Sequence, residues 1–105
     1  MKFEITSVEP AECEVSGYLG EPTAITIPSS IEIEGIEFSV TSIKGRLNYT
    51  EKGGAFEDCS SLTSVEIPNS VTSIGHAAFS RCSSLINITF GDNSQLTSIG
   101  VHAFS

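Results

Sequence analysis

Between Leu62 and Phe79 the chain reads LTSVEIPNSVTSIGHAAF, and most of what surrounds this stretch is a variation on it. After the bridge Ser80-Arg-Cys-Ser-Ser the phrase returns as Leu85-Ile-Asn-Ile-Thr-Phe, then as Leu96-Thr-Ser-Ile-Gly and Ala103-Phe104. Upstream, Ile25-Thr-Ile-Pro-Ser-Ser, Val40-Thr-Ser-Ile and Ala55-Phe56-Glu-Asp-Cys-Ser-Ser are pieces of the same text. Phe56 to Phe79, Cys59 to Cys82 and Leu62 to Leu85 are each 23 residues apart. Phe79 to Phe104 is 25, because Gly91-Asp-Asn-Ser-Gln stands where the earlier copy has Pro68-Asn-Ser. A recurring period of this size marks a solenoid, in which each unit buries its apolar face only against its neighbours.

Within one copy, Leu62, Val65 and Ile67 fall on one face of a short strand, since side chains alternate with period two. Pro68 lacks the N–H that a ladder needs and turns the chain. Val71 and Ile74 face inward from a second strand, Gly75 is placed at a bend, and Ala78-Phe79 close the unit from a short helical or 3-10 turn. Each apolar residue then has a partner one period on: Leu62 on Leu85, Val65 on Ile88, Ile67 on Phe90, Ile74 on Ile99, Phe79 on Phe104.

The whole chain, residues 1–105, reads as a single domain. Residues 1–24 lie outside the repeat. Phe3-Glu-Ile-Thr-Ser-Val and Cys13-Glu-Val-Ser-Gly-Tyr alternate apolar and polar about a break at Pro10, which predicts a β-hairpin capping the first unit. Residues 25–105 carry the repeat, entered through Ile31-Glu-Ile-Glu-Gly-Ile-Glu-Phe-Ser-Val with a turn at Glu34-Gly35. Ile43 to Phe56 is 13 residues where Ile74 to Phe79 is 5, so eight residues are inserted at about 44–53.

The pattern Leu-x-x-Val-x-Ile-Pro-x-x-Val-x-x-Ile-Gly-x-x-Ala-Phe-x-x-Cys-x-x-Leu resembles the BspA-type leucine-rich repeat of bacterial and protist surface proteins. Cys13-Glu-Val-Ser-Gly-Tyr followed by Ile25-Thr-Ile-Pro-Ser-Ser-Ile is similar to that family's lead-in. The resemblance covers residues 13–105. It implies a β-rich, right-handed leucine-rich-repeat solenoid and a non-catalytic role in protein or glycan recognition or adhesion, at the cell surface or secreted. It supplies no catalytic residues. The two insertions and the brevity of the array depart from the family's pattern.

Thirteen acids against five cations leave a net charge of −8, which disfavours nucleic acid and anionic membrane as partners. No run is long and apolar enough to span a bilayer, and Met1-Lys-Phe-Glu-Ile does not read as a signal peptide. Eight of the acids precede residue 40, whereas Lys44, Arg46 and Lys52 cluster in the insertion with Leu47 and Tyr49. Insertions in repeat proteins map to loops that often carry function, so these five residues are the preferred partner contact. The outward row that includes Thr26, Glu66 and Thr89 comes second, and solvation of a sheet face accounts for it equally well. A second outward row is Thr41-Ser42, Thr72-Ser73 and Thr97-Ser98.

Cys59 and Cys82 occupy equivalent places and read as a column of small buried thiols in preference to a disulfide or half a metal site. His76 and His102 are out of register and read as exposed histidines on a bend. No Ser-His-Asp constellation, phosphate loop or calcium loop is identifiable, so neither an enzyme nor a cofactor or metal protein is expected. Asn48-Tyr-Thr and Asn87-Ile-Thr match the N-glycosylation acceptor pattern. The alternative to a recognition module is a structural one: the N-terminal capping piece of a longer array, self-associating end to end through its last open unit.

Overall fold

The computed structural model describes residues 1–18, 20–45, 53–100 and 103–104. Among them are nine strands: β1 (Lys2–Val8), β2 (Ala11–Gly17), β3 (Ala24–Thr26), β4 (Ser30–Ile33), β5 (Ile36–Ile43), β6 (Ser64–Ile67), β7 (Ser73–Ile74), β8 (Asn87–Phe90) and β9 (Ser98–Ile99). They form two sheets. One has the order β1-β2-β5-β7-β9 with β4 attached to β5, and the other the order β3-β6-β8. Each copy of the repeat therefore gives one strand to each sheet, β6 with β7 and β8 with β9.

The pairing between copies is parallel and in register. Ile25, Val65 and Ile88 are successive partners in the smaller sheet, and Val15, Ile43, Ile74 and Ile99 in the larger. The ladder continues through the corners, where strands stop. Thr72 N–H donates to the Thr41 carbonyl at 2.8 Å, Gly75 N–H to Ile43 at 2.9 Å, and Phe79 N–H to Ala103 at 2.7 Å. Backbone groups that a loop would leave to water are satisfied by the next unit. Thr72 and Thr97 add side-chain bonds to the preceding carbonyl, Thr72 Oγ1 to Thr41 and Thr97 Oγ1 to Thr72. This second threonine row therefore works as structural cross-linking.

Between the sheets lies one apolar core that includes Leu62, Val65, Ile67, Val71, Ile74, Ala78 and Phe79, the seven inward positions of the repeat phrase. Complete burial of such side chains contributes ~1.5–3 kcal/mol each. From this core outward the aromatic rings form a column. Phe56 and Phe79 stack with centroids 5.1 Å apart, Phe79 and Phe104 at 5.2 Å, and Tyr18 leans on Phe56 at 6.4 Å. That spacing is close to the ~4.8 Å separation of paired strands, so the ladder itself sets the stacking distance.

Three expectations change. Where helical or 3-10 turns were predicted, the described residues hold hydrogen-bonded turns and no regular helix, because Asp58, Ala77 and Arg81 take positive φ. A left-handed residue interrupts any helical run. Asp58 and Arg81 are 23 residues apart, so one turn is built twice. Gly75 is needed for a close approach more than for a bend: a Cβ there would lie 2.3 Å from the Gly45 backbone nitrogen. Strand β1 is less buried than its alternation implies, with Ile5 and Val8 exposed, since a register shift between Ile5 and Ser7 breaks its phase against β2. Glu34 and Gly35 do form the two-residue turn between β4 and β5, both with positive φ as a type I′ hairpin requires.

The same letters are buried in one copy and open in the next. Phe79 is 1% exposed and Phe104 38%, and Ile74 is 1% exposed and Ile99 54%. Phe79→Ala should therefore destabilise the protein by about 3–5 kcal/mol, and Phe104→Ala by less than about half of that. Urea titration followed by circular dichroism measures both, and equal losses would contradict the stacking account. Gly75→Ala should cost about 1–3 kcal/mol by forcing two backbones apart.

Candidate functional site

On β3, β6 and β8 the outward residues stand side by side, Thr26 beside Glu66 and Glu66 beside Thr89. The side-chain alternation that buries Val65 and Ile67 presents Glu66 to solvent. Thr26 Oγ1 donates to Glu66 Oε2 at 3.1 Å. Where this row meets the corner after each strand, a cavity of about 310 Å³ opens. Thr26, Glu66 and Thr89 supply its polar lining, and Ile27, Ile67, Pro68 and Phe90 its apolar lining.

Two local features shape this cavity. Phe90 occupies the register position of Ile67 but is 40% exposed where Ile67 is 2%. Gly91, also in the lining, leaves room for Asn69: a Cβ at Gly91 would collide with the Asn69 side chain, whose Oδ1 accepts the Asn93 N–H at 3.2 Å. The two-residue expansion after β8 is thus packed against the preceding corner.

Of the residues singled out from sequence, Glu66 and Thr89 are brought together. Lys44 lies elsewhere, just after β5 in the other sheet, with Nζ 3.6 Å from Glu4 Oε2. It stands at the base of the insertion, whose ends are pinned: Ala55 N–H donates to the Lys44 carbonyl at 2.9 Å, and Glu57 Oε1 accepts the N–H groups of Gly53 and Gly54. Arg46, Leu47, Tyr49 and Lys52, with Asn48 and His102, fall outside the described residues. Ile27, Pro68, Phe90 and Gly91 are not among the candidate contacts read from sequence, although with Ile67 they complete the lining. The available signal was a bulky Phe90 at the position of Ile67, beside a lengthened corner.

The thiols are less enclosed than a buried column implies. Cys13 is fully buried, but Cys59 and Cys82 are half-buried, and all three are free. Cys82 Sγ donates to the Phe56 carbonyl at 3.0 Å, and burial pushes its thiol up to about 11. His76 is half-buried, not exposed. Among the described residues no group of three His, Cys, Asp or Glu is placed to hold a metal ion.

Glu14 on β2 faces Glu4 on β1 in register, near Lys44. Burial first, and then the Glu4 carboxylate, push the Glu14 carboxyl above its ordinary value of 4.5, while Lys44 and the Ser42 hydroxyl pull it down. A raised carboxyl means the folded state binds more protons than the unfolded one, so this contribution falls as pH rises from about 4.5 through the folded value. Glu14→Gln should consequently stabilise the protein most at neutral pH, with the gain shrinking toward pH ~4.5. Paired urea titrations across this range check the sign.

Residues 50–105 match the family described as BspA type leucine rich repeat region (6 copies). Among solved structures, the chain is similar to a leucine-rich repeat protein from Bacteroides capillosus ATCC 29799, with 34% identity and a TM-score of 0.79, covering 98% of this chain and 68% of that one. It is similar to a leucine rich cell surface protein from Faecalibacterium prausnitzii A2-165, with 33% identity and a TM-score of 0.74, over 97% of this chain and 25% of that one. The leucine rich repeat protein of T. pallidum shares 31% identity with a TM-score of 0.76, over 98% of this chain and 41% of that one. The chain thus spans only a quarter to two thirds of the length of these proteins. No curated protein matches it. No helix among the described residues is long and apolar enough to cross a membrane. A repeat phrase matched over more than half of the chain, together with a shared fold at about one-third identity, places this protein in the BspA-type leucine-rich repeat family.

Proposed function

We propose that this chain is a non-catalytic recognition module, part of a right-handed repeat solenoid that engages a protein or glycan partner at a cell surface. The reading is carried by the solvent-open cavity of about 310 Å³ beside the outward row of Thr26, Glu66 and Thr89. A rigid ladder holds these side chains at fixed spacing, which lowers the ordering cost of binding. The surface location draws on the Faecalibacterium relative, described as a cell surface protein. The basic insertion, with Lys44, Arg46, Leu47, Tyr49 and Lys52, is the second contact region, and the β1–β2 hairpin serves as the N-terminal cap.

A second reading has its own support. Ile88, Phe90, Ile99 and Phe104 of the last unit are exposed, although their counterparts Val65, Ile67, Ile74 and Phe79 are buried. This face can self-associate end to end, or receive further units of a longer array.

Arrays of glycans and of extracellular protein domains, probed with the labelled chain, test the first reading. A saturable hit should be lost in Thr89→Arg, which fills the cavity, with the melting temperature nearly unchanged. A hit that survives Thr89→Arg but is lost on charge reversal of Lys44, Arg46 and Lys52 moves the contact to the insertion. For the second reading, light scattering should give a mass that grows with concentration and returns to the monomer in Ile99→Lys. A wild-type mass that stays monomeric at high concentration rules out self-association.

A further inference from the structure

We propose that the cavity beside Glu66 takes the cationic side chain of a basic protein segment, an arginine or lysine. This rests on the recognition reading and specifies the partner's chemistry. The head pairs with the Glu66 carboxylate, and the aliphatic stem lies along Ile67, Pro68 and Phe90.

Charge comes first. Among the described residues, Glu66 is the only titratable one in the lining. Thr26 Oγ1 engages Oε2, and among the described residues no lysine or arginine pairs with this carboxylate. An incoming ammonium or guanidinium gains a charge-assisted hydrogen bond here, whereas an anion meets a like charge with no cation to offset it. The Thr26 bond also holds the carboxylate at the rim of the cavity.

Shape and lining agree with this. Lys and Arg bury their stems on apolar surface while keeping the charged head among polar groups. Ile67 and Pro68 supply such a surface, and the 40% exposed Phe90 offers an aromatic ring to the cation. A volume of about 310 Å³ is at the small end of ligand cavities, which suits one long side chain better than a cofactor. The net charge of −8 steers a basic partner toward the molecule and gives no such advantage to a neutral sugar.

The test is a ¹⁵N–¹H NMR titration of the intact chain with three probes: N-acetyl-arginine methylamide, its neutral shape match N-acetyl-citrulline methylamide, and a neutral N-acetylglucosamine trisaccharide. The arginine probe should give saturable shifts centred on Thr26, Glu66, Thr89 and Gly91, weakening as salt is raised. Citrulline should bind at least about fivefold more weakly, the discrimination of one charge-assisted contact. Glu66→Gln, an exposed substitution whose fold the same spectra verify, should abolish the arginine shifts. Equal affinity for citrulline, arginine shifts that survive Glu66→Gln, or no shift with arginine each overturn the proposal. Trisaccharide shifts without arginine shifts overturn the cationic occupant but leave the recognition reading standing. That reading falls separately, if the arrays give no hit.

Discussion

Parallel pairing of one repeat unit on the next is the interaction on which everything else in this molecule depends. Neither a four-residue strand such as β6 nor a two-residue strand such as β7 is stable alone. Stacked in register, however, each places Val65 or Ile74 against a like residue one period away and satisfies its backbone groups across the gap. The aromatic column is a by-product of the same geometry. Tyr18, Phe56, Phe79 and Phe104 come from four different segments, and the ladder brings their rings to near contact distance.

A scaffold governed by its ladder leaves few positions free to vary. Inward letters are held by packing. Gly75 is held by a neighbouring backbone, and Thr72 and Thr97 by bonds to the preceding carbonyl. What remains is the outward row on the smaller sheet, the corners, and the stretch between Ile43 and Ala55. The cavity combines the first two. A regular row places Glu66 between two threonines, and an irregular corner after β8 sets Phe90 and Gly91 beside it. Individuality in such a protein arises where a regular element adjoins an interruption.

Much of the architecture was legible because a repeat states its core residues more than once. Leu62, Val65, Ile67, Val71, Ile74, Ala78 and Phe79 recur at periodic positions, and all of them are buried. The turn at Glu34-Gly35 was legible from local chemistry alone. The helical turns differ from expectation because Ala77 and Arg81 carry no sequence mark of a left-handed backbone, and Asp58 only a weak one. The exposure of Ile5 was hidden too, since a register shift belongs to a pair of strands and not to either one.

For the site the division is sharper. The sequence by itself determined that Glu66 and Thr89 point outward, because period-two alternation follows from strand geometry whatever the partner strand. It also determined the family and the apolar columns. Only the tertiary structure decided that Thr26, from a separate, irregular unit, bonds to Glu66, and that Ile67, Pro68 and Phe90 form an apolar wall beside that carboxylate. It also decided which copy of an identical letter is buried, Phe79 but not Phe104. The physical reason is common to these cases. Alternation is a property of one strand, whereas a cavity and a burial depend on what lies across the gap between units.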